Sequence, residues 1–460
     1  MTKQVKIIFA SDSIVANNSA VKQFVDNQQA DHTSVLVGDQ HYVVVKECKD
    51  KVATLEKVRA TAGNIARDLS TQKVETASVE DGTLVTAFAN LNKSAVLTAF
   101  VEGWELGAYQ FVTYKSDITA FKTELNVSGA DQSSVEEGKI RAAAMSFSRD
   151  LSNEVPNVLN PETFPEVLKK NFEGTEVEVN VLDKETIEKM EMNGVLTVNR
   201  GSKYKPAFVE LIYKGDDTKP LVALVGKGVT FDTGGISLKS GKDLSDMRMD
   251  MGGAAAVSGA LTLLAKMKAK VNVVALMPIV ENMPDSLSVL PGEVITYKNG
   301  LTVQVGNTDA EGRLILADAL IRAGEWKAEY IVDIATLTGA VLNALGTEIG
   351  GVFGDEELSA TMKRIGDQNG DFIWPMPLVE AYDKTLASDY ADMNNISSLN
   401  VAGSITAGLF LRRFVPKDSK WLHVDMAGVV DKTAVAGYYG KSATGYGARL
   451  LADFTVHISK

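Results

Sequence analysis

The sequence predicts an α/β protein of two units: a smaller N-terminal α/β domain over residues 1–150, and a C-terminal domain over 151–460 built on a mostly parallel, helix-sandwiched mixed sheet. Three observations carry this. From residue 164 onward, short apolar runs alternate with amphipathic helical stretches, the rhythm of βα units closing a parallel sheet. A helical pattern over about 133–153, with Glu136 and Glu137 early and Arg141 and Arg149 late to suit the helix dipole, is followed by Pro156, Pro161 and Pro165. That places the domain boundary near 150, with the helix as the bridge. Finally, 460 residues is more than one hydrophobic core usually organises.

Composition narrows the function classes. The chain is 45% hydrophobic and 23% charged with a net charge of −12, which suits a soluble protein and argues against broad contact with nucleic acid or an anionic membrane. A single cysteine, Cys48, excludes an internal disulfide framework and any CxxC motif. The N-terminal apolar run is too short for a signal peptide, and no run approaches the roughly 20 residues that span a bilayer, so the expected location is cytoplasmic. The four histidines, His32, His41, His423 and His457, are scattered. There is no HExxH pair, GxSxG elbow or GxxxxGK[ST] loop. Hydrolytic chemistry here would rest on carboxylates and lysines.

In the first domain, Val5–Phe9, Thr33–Val37, Gln40–Val45 and Thr83–Phe88 read as strands and Lys51–Leu69 as a helix. The stretch from Ala99 to Phe111 reads as a buried helix leading into a turn, its aromatics part of the core. The second domain opens with helix Phe164–Phe172 and strand Glu176–Leu182, followed by strands Ala207–Tyr213 and Leu221–Val225. Helix Gly253–Met267, strand Val271–Met277, strand Leu301–Val305, helix Leu314–Gly324 and strand Tyr330–Ile334 come next. Helix Ile405–Phe414, strand Trp421–Val424 and a helix from Gly445 complete the chain. In such sheets, ligands bind in the loops beyond the C-terminal strand ends.

One such loop is Asn307-Thr-Asp-Ala-Glu-Gly-Arg-Leu314. If it is extended, Asp309, Glu311 and Arg313 face one way, an arrangement suited to the floor of an active site. Thr308-x-x-Glu311 is equally a capping box, and on its own the octapeptide fits a cap at least as well. A second cluster follows strand Leu221–Val225: Lys227, Asp232 and Lys239 in a glycine-rich loop, then Asp250 before a helix. Each alone reads as readily as a solvated turn residue. Together, four carboxylates would repel and raise one another's pKa values unless cations intervened. Carboxylate oxygens suit zinc, manganese, cobalt or magnesium, and bridging carboxylates hold ions roughly 3.5–4 Å apart.

These segments (the octapeptide, Gly226–Gly235 and Met247–Ala254) closely resemble the cytosol (leucyl) aminopeptidases, a dinuclear metallopeptidase family. The likeness extends to Arg149–Asn157, Glu281–Pro284, Ala335–Ala340, His423–Gly428 and Ala443–Gly445, and so covers residues 140–456; the first 130 residues resemble the family only loosely. The resemblance implies Lys227, Asp232, Asp250, Asp309 and Glu311 as ligands of two divalent ions, manganese or zinc with cobalt or magnesium as alternatives, Asp232 and Glu311 bridging. It implies an ion-activated water, Lys239 stabilising the oxyanion, and Arg313 holding a bicarbonate that carries the proton. Met247, Thr336, Ala427 and Val430 match positions of the pocket for the first side chain, and their largely apolar character suits leucine or methionine. Asn307, Leu337 and Gly339 match further substrate contacts, the last two through their backbone. Peptide substrates and a homohexamer of two trimers are implied as well; a DNA-binding role on the same scaffold is the rival reading. His423 reads as structural. Two positions depart from the family pattern: Thr233 stands where serine is frequent, and Gln304 where an acid is common, which bears on metal preference.

Overall fold

The computed structural model describes residues 4–46, 54–241 and 243–460; Cys48 and the start of the helix expected from Lys51 lie outside them. The chain divides into two compact units, Met1–Ser146 with Lys432–Ser442, and Phe147–Asp431 with Ala443–Lys460. The division falls inside the single helix Gln132–Asn153. The segment Lys432–Ser442, which sequence reading left in the second domain, groups with the first unit.

The first unit carries β1 (Gln4–Phe9), β2 (His32–Val37), β3 (Gln40–Val45), β4 (Thr76–Glu80) and β5 (Glu124–Ser128) in the order β2-β3-β1-β4-β5. Only the β2–β3 pairing is antiparallel. The run Thr83–Phe88, expected as a strand, instead lies in helix Asp81–Ala87 and its C-cap. Leu84 and Phe88, four apart, are its buried residues; over six positions that spacing is hard to distinguish from alternation, and Thr76–Glu80 takes the place beside β1. Helices Leu55–Thr71 and Lys93–Gly107 meet backbone to backbone, since a Cβ on Gly103 would lie 2.2 Å from the Arg59 carbonyl oxygen. Phe100 and Trp104 are fully buried in this core, as expected.

The second unit carries β6 (Val177–Leu182), β7 (Ala207–Lys214), β8 (Leu221–Gly226), β9 (Gly228–Asp232), β10 (Asn272–Asn282), β11 (Val294–Thr296), β12 (Thr302–Gln304), β13 (Tyr330–Ala335), β14 (Gly350–Gly354), β15 (Ile373–Pro375), β16 (Met393–Asn394) and β17 (Lys420–Asp425). The main sheet runs β15-β14-β17-β13-β8-β10-β7-β6, with β9 also on β10. Its centre, β17-β13-β8-β10, is parallel; β14 on β17, and β7 and β6 beyond β10, are antiparallel. Both faces are covered, so the central strands are continuously apolar. Ala223 and Val225 of β8 join one core with helices Glu311–Glu325 and Gly403–Arg412. Helices Gly252–Lys266 and Ala448–Ile458 pack on each other outside that cluster, covering the opposite face. Among the described residues, no helix is long and apolar enough to cross a membrane.

At the C-terminal ends of the parallel strands, β9 opens into the loop that reaches Asp250, β13 into Thr336–Thr338, and β17 into Met426–Val430. The strand before the octapeptide is placed differently from the expectation. β12 belongs to a separate sheet, β11-β12-β16, and the octapeptide that follows it meets the C-terminal ends of the central strands at Lys227 and Asn282.

Candidate metal centre

Lys227 sits where the main sheet splits. β8 pairs with β13 up to Gly226, and β9 then continues along β10 alone. In the gap, the Lys227 amide donates to the Ile334 carbonyl (3.1 Å), and its own carbonyl accepts from Ala254 (2.8 Å), so both backbone groups are satisfied outside a regular ladder. The side chain runs across Gly312, where a Cβ would lie 2.6 Å from Lys227 Cε. The octapeptide glycine is therefore a groove for a lysine. At its end, Nζ is 2.8 Å from Asp250 Oδ1, 2.9 Å from Glu311 Oε1 and 3.0 Å from the Thr336 carbonyl.

Asp232 closes β9. Its Oδ1 accepts from Asn282 Nδ2 (2.8 Å) and Gly234 N (2.9 Å), leaving Oδ2 at 2.7 Å from Lys239 Nζ. Lys239 also lies 2.5 Å from Asp309 Oδ1. Gly234 and Gly235 have φ of 88° and 65°, the left-handed turn that brings Lys239 back over Asp232. Asp250 follows a short 3₁₀ turn, Ser245–Met249, and takes a 2.7 Å hydrogen bond from Thr336 Oγ1. One carboxylate oxygen each of Asp232, Asp309 and Glu311 lie within 4.8 Å of one another.

The electrostatics are those of an acid cluster in low dielectric. Burial pushes Asp250, Asp309 and Glu311 above the usual carboxylate range, and the neighbouring Asp232 charge adds to the rise. Burial alone would lower the lysines, yet the surrounding acids outweigh it: Asp250 and Glu311 first for Lys227, Asp232 and Glu311 first for Lys239. Both are held above the ordinary lysine value. Four carboxylates thus face two ammonium groups, and Glu311 Oε2 is buried with no hydrogen-bond partner. A buried acid oxygen without a donor is costly unless a cation meets it. The oxygen-rich donor set fits a pair of divalent ions, with the Lys227 nitrogen joining it once an ion displaces the ammonium proton.

The octapeptide is neither extended nor a capping box. Helix Glu311–Glu325 begins inside it, with Ala310 as N-cap and no side-chain cap. Thr308 Oγ1 is spent elsewhere, donating to the Gly234 carbonyl (2.6 Å) and accepting from Ser237 N (2.8 Å). It staples the octapeptide to the Lys239 loop. Because Glu311 and Arg313 are two apart on a helix, they diverge. Arg313 turns to the Asn395 carbonyl (2.8 Å), and its buried Nε has no partner. Burial pulls Arg313 down to about 10, which leaves it cationic at neutral pH.

Asn395 escaped the sequence reading entirely. Fully buried, it accepts from Gly306 N and Asn307 N and donates to the Asn307 carbonyl (2.7 Å), clamping the octapeptide's backbone. Asn282, read only as part of the Glu281–Pro284 likeness, ties Asp232 to the Thr308 carbonyl (3.1 Å). Thr336 was assigned to a side-chain pocket, and its hydroxyl in fact belongs to Asp250. Its methyl, together with Val430 and Met426, converges over Gly252, where a Cβ would lie 2.8 to 3.5 Å from all three. Met247 is half-buried in the 3₁₀ turn before Asp250. Ala427 N and Leu337 N both donate to Asp425, Gly339 starts an exposed helix end, and Asn307 caps its own turn by accepting from Asp309 N (2.8 Å). Gln304 accepts from Ser388 Oγ (2.6 Å), and Thr233 Oγ1 donates to the Asn282 carbonyl (2.8 Å). His423 lies buried in β17 against Asp333 at 2.5 Å.

The chain is similar to known proteins over most of its length. The chain matches the cytosol aminopeptidase family, catalytic domain, over residues 146–452 and the N-terminal domain of the same family over 46–117. It is 39% identical over 419 residues to a probable cytosol aminopeptidase of Mycobacterium tuberculosis, covering 88% of this chain and 80% of that one. A probable cytosol aminopeptidase of Persephonella marina is 37% identical over 429 residues, covering 91% and 86%. Among solved structures, the bottromycin maturation enzyme BotP in complex with Mn superimposes with a TM-score of 0.90 at 29% identity, covering 100% of both chains.

Proposed function

Since this chain belongs to the cytosol aminopeptidase family, and so is a metal-dependent aminopeptidase, we propose that it removes apolar N-terminal residues from peptides at a two-metal site. Lys227, Asp232, Asp250, Asp309 and Glu311 would hold the ions. The observation that carries this reading is the convergence of Asp232, Asp309 and Glu311 oxygens within 4.8 Å. When bound, such an ion pair makes a water nucleophilic near neutral pH and polarises the carbonyl to be attacked.

The chain's own residues do the rest. Lys239, protonated between Asp232 and Asp309, places a fixed positive charge for the oxygen of the scissile carbonyl. Arg313 presents a cationic edge with an unpartnered Nε, suited to a bicarbonate that accepts and returns the proton. That division would explain an active centre with no histidine base. The substrate's free amine enters the same acidic centre, limiting cleavage to the first peptide bond. The apolar convergence of Thr336, Met426 and Val430 supports a preference for leucine or methionine there. We take the working assembly to be a homohexamer in the cytoplasm.

The test is hydrolysis of a leucine anilide and of Leu-Gly, with chelator and then with manganese restored. Activity should vanish with chelator, return with the ion, and be lost in Glu311→Ala. Full activity of Glu311→Ala protein would sink the assignment.

A further inference from the structure

We propose that Asp425 is a positioning residue of the metal centre, acting through the Thr336–Thr338 turn; the inference rests on the aminopeptidase reading above. Asp425 ends β17 directly beside Ala335, the last residue of β13. It is fully buried. Its Oδ1 accepts from the backbone amides of Leu337 (3.2 Å), Thr338 (3.3 Å) and Ala427 (3.3 Å), and its Oδ2 from Thr338 Oγ1 (2.6 Å). Four donors converge on one side chain that can only accept, which is what a carboxylate offers and an amide does not.

The turn so held has its other face on the metal centre. The Thr336 carbonyl accepts from Lys227 Nζ at 3.0 Å, and Thr336 Oγ1 donates to Asp250 Oδ1 at 2.7 Å. One turn therefore fixes two of the proposed ligands, and Asp425 fixes the turn. Thr338 relays the hold further: its Oγ1 also accepts from Val341 N (3.1 Å), seating helix Gly339–Leu345. An asparagine at 425 keeps the size, but its NH₂ takes the place of Oδ2, so Thr338 Oγ1 loses the acceptor for its proton and must accept instead. The turn then loses its register, and Lys227 and Asp250 lose a shared anchor.

The experiment compares wild type with Asp425→Asn in the full chain. Calorimetric titration with Mn²⁺ reads the site without turnover, while kcat and KM on a leucine anilide and the thermal midpoint are measured alongside. Removing a residue that orients ligands is expected to weaken Mn²⁺ binding and lower kcat by about 10- to 100-fold, with KM little changed. Wild-type Mn²⁺ affinity in Asp425→Asn overturns the proposal, as does a rate loss explained entirely by a lower thermal midpoint. If Asp425→Asn does not fold, Thr338→Val and Thr338→Ser decide. The serine keeps the hydroxyl and should keep Mn²⁺ affinity, the valine should lose several-fold, and equal behaviour of the two overturns the idea. Wild-type protein that neither binds Mn²⁺ nor cleaves the anilide would instead overturn the aminopeptidase reading itself.

Discussion

Replacing Gly312 with alanine should damage the active centre while leaving the fold nearly intact. The new Cβ would lie 2.6 Å from Lys227 Cε, 2.8 Å from Nζ and 2.9 Å from Cδ. Ordinary carbon contacts are about 3.5–4.0 Å, so the lysine must retreat by roughly 1 Å. Its Nζ then leaves the 2.8 to 3.0 Å contacts with Asp250, Glu311 and the Thr336 carbonyl. A misplacement of that size in a catalytic centre costs on the order of 10²-fold in rate. Stability is expected to move much less. Overpacking costs about 1–3 kcal/mol, the displaced group is the end of a flexible side chain, and alanine gains about 1 kcal/mol over glycine within helix Glu311–Glu325. Anilide hydrolysis and thermal denaturation on the same preparation test this. Wild-type kcat/KM would refute the groove assigned to Gly312, and so would a rate loss matched by a collapse of the thermal midpoint.

Two further outcomes follow from the buried charges. Asp318, in the same helix, is pushed well above the usual carboxylate range by burial, although the backbone amides of Val195 and Gly194 partly offset it. A raised folded-state value means its stabilising contribution is whole below the unfolded pKa and is lost as pH rises through the folded one. Asp318→Asn should therefore raise the thermal midpoint by an amount that grows as pH rises above the ordinary carboxylate range; a difference that does not change with pH would contradict the assignment. At the metal centre, Mn²⁺ at 100 times its dissociation constant should stabilise the protein by about 2.7 kcal/mol for each ion bound, read as a concentration-dependent thermal midpoint. An Asp250→Ala variant whose midpoint still rises to the same extent would remove Asp250 from the ligand set.

What the sequence disclosed depended on how local the cause was. The parallel centre of the main sheet was legible because strands buried on both faces, such as Leu221–Gly226, are continuously apolar and alternate with helices. β14 was not read, because three of its five residues are glycine and carry no pattern. The acids and lysines of the centre stood out through their glycine-rich loops, where positive φ at Gly234 and Gly235 is a local requirement. The octapeptide's geometry was misread because its partners are remote. A capping box needs Thr308 to serve its own helix, yet Gly234 and Ser237, more than 70 positions earlier, claim the hydroxyl. Asn395 left no signature at all: one asparagine outside any spaced motif, acting on backbone 85 to 89 positions away, is visible only once the chain has folded.

The most direct test of the two-metal centre is the metal content of the protein itself. Equilibrium dialysis against Mn²⁺ followed by elemental analysis should give two ions per chain, with Glu311→Ala and Asp232→Ala each falling below that number. One ion or none in the wild type, or two in both variants, would contradict the centre assigned to Lys227, Asp232, Asp250, Asp309 and Glu311.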